Sequence, residues 1–197
     1  MSIKSVKNKT RSGSLLIGNP PFIPTDFESI ATITLTSSTI NNDFLSIPQT
    51  YKHLQIRIIG RLDDSGSGAG SLRVRVGNST FDTGSNYARH NLEGDGASAG
   101  AQSATSQTNI AITGTLPENS VAANVNGVAI IDIHDYASST KNKTFRSFSG
   151  QDRNGAGNAL LISGLWMSTS AINQIRLYGD GSGLKAGTVI SLYGIKG

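Results

Sequence analysis

Short segments in which apolar and polar residues alternate follow one another along most of the chain. A period of two is typical of strands that bury one face, and the segments are separated by Gly, Asn, Asp or Ser. No long stretch has the 3.6-residue period of an amphipathic helix. The pattern predicts an all-β protein, an antiparallel β-sandwich of jelly-roll type. Its predicted strands lie at 30–36, 51–62, 72–76, 109–115, 125–136, 144–149, 160–168, 172–178 and 189–195.

One of these segments, 125–136, is apolar almost without interruption. It contains Val128, Ala129, Ile130, Ile131 and Ile133. A continuous apolar run of this length is typical of a strand that is buried on both faces. We therefore expect this strand at the centre of the core.

Two glycine-rich segments, 63–70 and 179–183, separate predicted strands. Neither contains the Gly-Lys-Ser/Thr sequence of a phosphate-binding loop, and neither precedes a predicted helix whose N-terminus would hold an anion. We predict that both are hairpin loops.

The region 77–104 has no clear strand pattern and is rich in Gly, Ser and Ala. Loops of this length usually bind or cover something. Tyr and Arg are favoured in protein interfaces, so this region is a candidate contact loop. The alternative is a loop that packs on its own domain. The candidate contact residues are Tyr87, Arg89, His90 and Asn91.

Residues 1–28 have the composition of an extended arm that precedes a sandwich domain at 29–197. Three prolines between residues 20 and 24 block both helix and central strand. The arm is also too apolar for a merely solvated tail, so it is expected to lie along its own domain or along a neighbouring subunit. The other interpretation is a partly ordered terminus. The candidate anchoring residues are Lys4, Lys7, Lys9, Arg11, Leu15, Leu16, Ile17, Phe22 and Ile23.

The net charge of +4 comes from the first eleven residues of the arm. The chain has 17 basic and 13 acidic residues, and four of the basic ones precede residue 12. Without these four, 13 basic and 13 acidic residues remain, so the rest of the chain is formally neutral. A nucleic-acid-binding face needs Lys and Arg clustered on a domain surface, and we therefore expect no nucleic-acid partner.

The composition excludes several classes of site. The chain has no cysteine, which excludes disulfides, a thiol nucleophile and a zinc–cysteine centre. No segment approaches the roughly 20 consecutive apolar residues of a spanning helix, so we expect no membrane insertion. No pattern of His and acidic residues has metal-ligand spacing, and we expect neither a metal nor a cofactor.

The most suggestive catalytic pair is Asp132 and His134, which share one face of a predicted strand. An aspartate can orient an imidazole in a Ser-His-Asp arrangement. However, the chain has no Gly-x-Ser-x-Gly sequence between a strand and a helix. The pair is therefore interpreted as structural, and the protein as non-enzymatic.

Several segments resemble small structural proteins in the particles of tailed bacteriophages, including cyanophages. The resemblance implies a β-rich subunit on the exterior of the particle, often trimeric and attached through its N-terminal part. It covers most of the chain but does not specify a position on the particle. The segments are 7–19, 27–32, 46–51, 131–133, 146–150, 163–166 and 192–197.

Three functions are compatible with these features. The first is a tail-fibre or tail-tip subunit that docks through its arm and contacts a host surface glycan or protein. The second is a capsid cement (decoration) protein bound to the major capsid protein, and the third is a carbohydrate-binding module. For the first two, the expected partners are further copies in a homotrimer and other virion proteins. The expected location is the outside of the virion, after assembly in the host cytoplasm.

Overall fold

The computed structural model describes residues 26–66 and 68–197. Within these ranges the chain forms antiparallel strands and no helix, which confirms the all-β prediction. The candidate anchoring residues of the arm, from Lys4 to Ile23, lie outside the described residues. The first described strand starts at Phe27, two residues before the predicted start of the domain.

The strands are numbered in chain order. All nine predicted strand segments coincide with one of them, with boundaries that differ by a few residues. The strands are β1 (Phe27–Thr34), β2 (Asn42–Phe44), β3 (His53–Gly60), β4 (Leu62–Asp63), β5 (Ala69–Asn78), β6 (Thr80–Phe81), β7 (Tyr87–Gly94), β8 (Ala99–Gln107), β9 (Ile110–Pro117), β10 (Gly127–His134), β11 (Lys143–Asp152), β12 (Gly157–Trp166), β13 (Gln174–Gly179), β14 (Gly183–Leu184) and β15 (Val189–Ile195).

The strands form one large and one small antiparallel sheet. The large sheet has the order β1-β15-β3-β10-β11-β12-β7-β8, and the small sheet has the order β2-β13-β5-β9, with β6 paired to the end of β5. The short strands β4 and β14 pair with each other. Strand β9 packs face to face on β7, β10, β11 and β12, so the two sheets form a sandwich-like pair of layers.

The core lies between the sheets and is built by the alternation seen in the sequence. On β3, the side chains of Leu54, Ile56 and Ile58 face the small sheet and are at most 3% exposed. Strands β5 and β9 supply the facing layer with Val74 and Ile112, both fully buried. Each such side chain contributes about 1.5–3 kcal/mol of transfer free energy.

Hairpin β11–β12 shows how a local signal sets the register of the large sheet. Its turn is Asn154-Gly155, and both residues have positive φ, at 58° and 111°. Asn-Gly favours this two-residue turn because both residues tolerate the left-handed conformation. The turn pairs Asp152 with Gly157 and sets the register of the two strands.

The two glycine-rich segments are not hairpin loops, and that prediction is wrong. Strand β3 pairs with β10 and β15, whereas β5 pairs with β9, β13 and β6, so 63–70 connects the two sheets. Similarly, β13 belongs to the small sheet and β14 pairs with β4. Glycine marked the breaks correctly, but strand pairing depends on distant partners that local sequence does not reveal.

The prediction of a long loop at 77–104 is also wrong. Most of the region forms β6, β7 and the start of β8, and the pair β7–β8 forms one edge of the large sheet. Strand β8 has the sequence Ala-Gly-Ala-Gln-Ser-Ala-Thr-Ser-Gln. It lacks a large apolar residue, because an edge strand that is mostly exposed on both faces needs none. Backbone pairing with β7 supports it instead.

Candidate functional site on the outer face of the large sheet

The outer face of the large sheet is the face turned away from the small sheet, and it carries a group of exposed apolar side chains. They are between 41% and 63% exposed. These side chains are exposed because several strands of the large sheet are apolar on both faces, whereas the small sheet covers only one face. We call these residues the apolar stripe: Ile59, Leu92, Val128, Ile130, Phe148 and Leu161.

The strand register makes the apolar stripe continuous. Ile130 pairs with Phe148, Phe148 pairs with Leu161, and Leu161 pairs with Leu92. These four side chains form one row across four strands. Val128 and its partner Ile59 begin a second row beside it. Side chains paired in this way on one face are close enough to touch, so the stripe is a single surface.

The second row continues through small residues and forms a groove. Gly150, Ala159 and Gly94 follow Val128 in register on β11, β12 and β7. Since these positions carry little or no side chain, the row lies below the level of Phe148. The resulting groove has a volume of about 960 Å³, and its lining includes Asp95 and Asp152 at the strand ends.

The other half of the outer face is polar and centres on Asp132. Its carboxylate accepts a 2.8 Å hydrogen bond from Gln55 and a 2.9 Å hydrogen bond from Arg146. Burial acts to raise the pKa of Asp132, but the two hydrogen bonds outweigh it and the pKa is lowered. The carboxylate therefore stays ionised and links β3, β10 and β11 through these two hydrogen bonds.

The two histidines beside this network pack against each other. The rings of His53 and His134 meet edge to face, with centroids 5.1 Å apart. The backbone N–H of Asp135 donates to Nδ1 of His53 at 3.0 Å, which requires that nitrogen to be unprotonated. Burial, and then the charge of His134, lower the pKa of His53. The contacts of Asp132 and of the two rings fit a structural role for the pair Asp132 and His134.

The ion pairs of Asp135 make the stability of this end of the sheet depend on pH. Its carboxylate pairs with Lys141 at 2.7 Å and with Lys52 at 3.2 Å, and these contacts lower its pKa from 3.8 to about 2. Because the folded-state pKa is depressed, the stabilisation is complete above about pH 4 and disappears as the pH falls through about 2.

We expect Asp135→Asn to be less stable than the parent protein at pH 6 and closer to it at pH 2.5. Asparagine suits the comparison because it tolerates the positive φ of 48° at this position. Urea denaturation at the two pH values measures the difference. An equal gap between the two proteins at both pH values would contradict the assignment of the stabilisation to the Asp135 carboxylate.

The structure places the four candidate contact residues on β7 rather than in a loop. Tyr87 is fully buried, stacks on Trp166 with ring centroids 6.5 Å apart, and has its hydroxyl 3.1 Å from the backbone N–H and C=O of Val76. Burial raises its pKa. Tyr87 is therefore a core residue that joins the two sheets, and its assignment as a surface contact is wrong.

The remaining three residues divide between the two faces of β7. Asn91 is buried, on the same face as Tyr87, and accepts a 2.6 Å hydrogen bond from Arg89. His90 points to the outer face, where it is exposed, two residues from Leu92. Of the four, only His90 belongs to the outer face that we identify as the candidate site.

One feature of the sequence, the apolar run at 125–136, contributes to the apolar stripe. The pattern of this run predicts a strand at the centre of the core, buried on both faces. In the structure β10 alternates instead, with Ala129 and Ile131 buried and Val128 and Ile130 exposed. Apolar residues on both faces of a strand do not by themselves show that both faces are covered, and in the structure only one face of β10 is buried.

Comparison with known proteins and inspection for other site types add few constraints. No protein-family model and no curated protein matches the chain. Among residues 26–66 and 68–197, no group of three or more His, Asp or Glu side chains is placed to hold a metal ion. The part of the chain described by the structure contains no helix long and apolar enough to cross a membrane.

Proposed function

We propose that the protein is a non-enzymatic structural subunit on the exterior of a tailed-phage particle, most specifically a tail-fibre or tail-tip subunit that acts by binding other proteins. The observation that carries the binding role is the apolar stripe. Six large apolar side chains at 41–63% exposure, contiguous in register, form a surface that is unfavourable to leave in water. Contiguous exposed apolar surface of this kind marks protein interaction sites.

The virion assignment rests on the resemblance of the sequence segments, and the binding role is compatible with it. A subunit of this kind works as a homotrimer and attaches through its N-terminal arm. The jelly-roll topology belongs to the same proposal. What the fold adds is a stiff platform, since eight paired strands hold the outer face in a fixed shape.

A capsid cement protein is the second candidate, because it would need the same kind of protein-binding face. A carbohydrate-binding module has less support. Such modules use exposed aromatic platforms, whereas the single tryptophan, Trp166, is 3% exposed and donates a 2.7 Å hydrogen bond to Asp82. We therefore rank glycan binding below the two structural roles.

Counting copies of the protein in purified particles distinguishes the candidates. A tail-fibre or tail-tip subunit is expected at a few dozen copies or fewer, since a particle has one tail. Quantitative mass spectrometry against the major capsid protein measures this number. Hundreds of copies would favour the cement role instead, and absence from particles would contradict both. Glycan turnover by the purified protein would contradict the non-enzymatic assignment.

A further inference from the structure

We propose that Asn154 is a site of spontaneous deamidation, whereas Asn126, which is also followed by glycine, is protected from it. Asn154-Gly155 and Asn126-Gly127 are the two Asn-Gly pairs of the chain. Each pair contributes one residue to the lining of the groove, Gly155 and Asn126. This modification goes beyond the proposed function and does not depend on the virion assignment, because it needs only water and the folded chain.

The reaction joins the side-chain amide of an asparagine to the backbone nitrogen of the next residue. That nitrogen loses its proton to a base in solution and forms a bond to the side-chain carbon Cγ. The bond between Cγ and the amide nitrogen breaks, and this nitrogen takes up a proton from solvent and leaves as ammonia. Water then opens the resulting succinimide ring at one of its two carbonyls, which gives aspartate or isoaspartate. Glycine permits the attack best because it has no side chain and its backbone rotates freely.

Access to the side-chain amide does not distinguish the two sites. Asn154 and Asn126 are both exposed to solvent. Any difference in their reactivity therefore comes from the attacking nitrogen, which belongs to Gly155 at one site and to Gly127 at the other.

The nitrogen of Gly155 lies in an open turn. Gly155 is exposed, has a φ of 111°, and a Cβ placed on it would have no atom of the described residues within 4 Å. The N–H of Arg153 donates to the carbonyl of Ala156 at 2.7 Å and closes the turn. Gly155 lies inside this closure and outside the paired strands, which end at Asp152. The backbone at this site therefore has room to rotate towards the side chain of Asn154.

The nitrogen of Gly127 lies in a packed strand. Gly127 is buried, begins β10 and pairs with Gly60 of β3. A Cβ placed on Gly127 would lie 1.9 Å from the backbone oxygen of Thr115, so the backbones of β9 and β10 are in close contact there. Attack on Asn126 needs a rotation that this packing prevents, and the reaction must wait for local opening of the sheet. The structure therefore separates two sites that have the same dipeptide sequence.

Deamidation of Asn154 changes both the charge and the shape of the groove margin. Each event places a new carboxylate two residues from Asp152, beside a lining that already contains Asp95 and Asp152 and no basic side chain. Isoaspartate also adds one methylene group to the main chain of the turn that sets the register of β11 and β12. We therefore expect the groove of the aged protein to be more negative and to favour a basic partner more strongly.

Incubation of the full chain in mildly alkaline buffer, followed by peptide mapping with mass spectrometry at intervals, tests the proposal. In the folded protein we expect Asn154 to deamidate at least about tenfold faster than Asn126, since only the second site needs local opening. The control is the same incubation in urea at a concentration that unfolds the chain, where the two sites should react at similar rates. Equal rates at both sites in the folded protein, or a faster reaction at Asn126, would overturn the proposal.

The variant Asn154→Asp identifies the product by a second measurement. Aspartate tolerates the positive φ of 58° at this position, so the variant should fold like the parent protein. On anion exchange, the first acidic species of the aged parent protein should elute with Asn154→Asp, and aged Asn154→Asp should form no further acidic species over the same period. A first acidic species of equal yield in both proteins would assign the reaction to another residue and overturn the proposal. Particle composition plays no part in either result, so the two proposals fail independently.

Discussion

Replacing Arg61 with alanine is expected to lower the free energy of unfolding by about 4 kcal/mol, because four charge-assisted hydrogen bonds are lost together. Arg61 follows β3 and is only 6% exposed. Its guanidinium donates four hydrogen bonds of 2.5–2.8 Å to the backbone carbonyls of Glu118, Val121, Ala122 and Val125. One side chain thus fixes the whole connection between β9 and β10.

The cost is large because four partly buried carbonyl groups lose a charged donor together. A hydrogen bond to a charged group contributes about 1.5–3 kcal/mol, and a buried acceptor without a partner costs a comparable amount. The effect also extends to the candidate site, since Asn126 in the same connection lines the groove. Loosening this segment is expected to widen the groove as well as weaken the fold.

Urea denaturation followed by the fluorescence of Trp166, the single tryptophan, measures the loss. Arg57→Ala is the matched control. Arg57 lies on the outer face of β3, the strand that Arg61 follows. Its guanidinium lies about 5 Å from the ring centroids of Phe27 and Tyr193, an interaction of about 1 kcal/mol at most. Arg61→Lys keeps the charge but lacks the planar group, and should recover only a minor part. Equal losses for Arg57→Ala and Arg61→Ala would contradict this account.

The strands that sequence pattern predicted best are those that contribute one face to the core. Strand β3 alternates strictly between Leu54, Ile56 and Ile58 inside and Gln55 and Arg57 outside. In such strands local sequence and tertiary environment agree, because the same side chains that create the period also fill the space between the sheets. The antiparallel class follows from these strands together with the many turn residues.

The edge of the large sheet could not be predicted in this way. On β7 the residues that face inward include Arg89 and Asn91 along with Tyr87, so the inward face is not uniformly apolar. The small sheet is narrower than the large one, and the strands near the edge need less apolar surface. A pattern search that relies on hydrophobic alternation therefore misses β7 and β8 for a physical reason.

The candidate site could not be predicted from the sequence for a similar reason. Phe148 and Leu161 alternate with buried residues in the same way as polar outer residues do elsewhere. They are exposed because none of the described residues, 26–66 and 68–197, forms a layer over the outer face of the large sheet. Sequence alone cannot tell which of two apolar faces is covered. The apolar stripe became visible only once the strand register aligned its residues.

The second large effect is expected at Tyr87, and it separates a core strand from a contact loop. We expect Tyr87→Ala to lower the free energy of unfolding by about 4 kcal/mol, as for other large buried aromatics. The separate variant His90→Ala should stay within about 0.5 kcal/mol of the parent protein. Tyr87→Phe should lose about 1–2 kcal/mol, since the backbone groups of Val76 lose their hydroxyl partner. Urea denaturation of the three variants provides the comparison.

The order of these three values matters more than their size. If 77–104 were a loop on the surface, truncating Tyr87 would cost no more than truncating His90, and the hydroxyl would be irrelevant. The structure instead has Tyr87 stacked on Trp166 between the sheets, where the side chain ties the large sheet to β5 of the small one. A small loss for Tyr87→Ala would therefore contradict the placement of β7, and with it the row that brings Leu92 next to Leu161 in the apolar stripe.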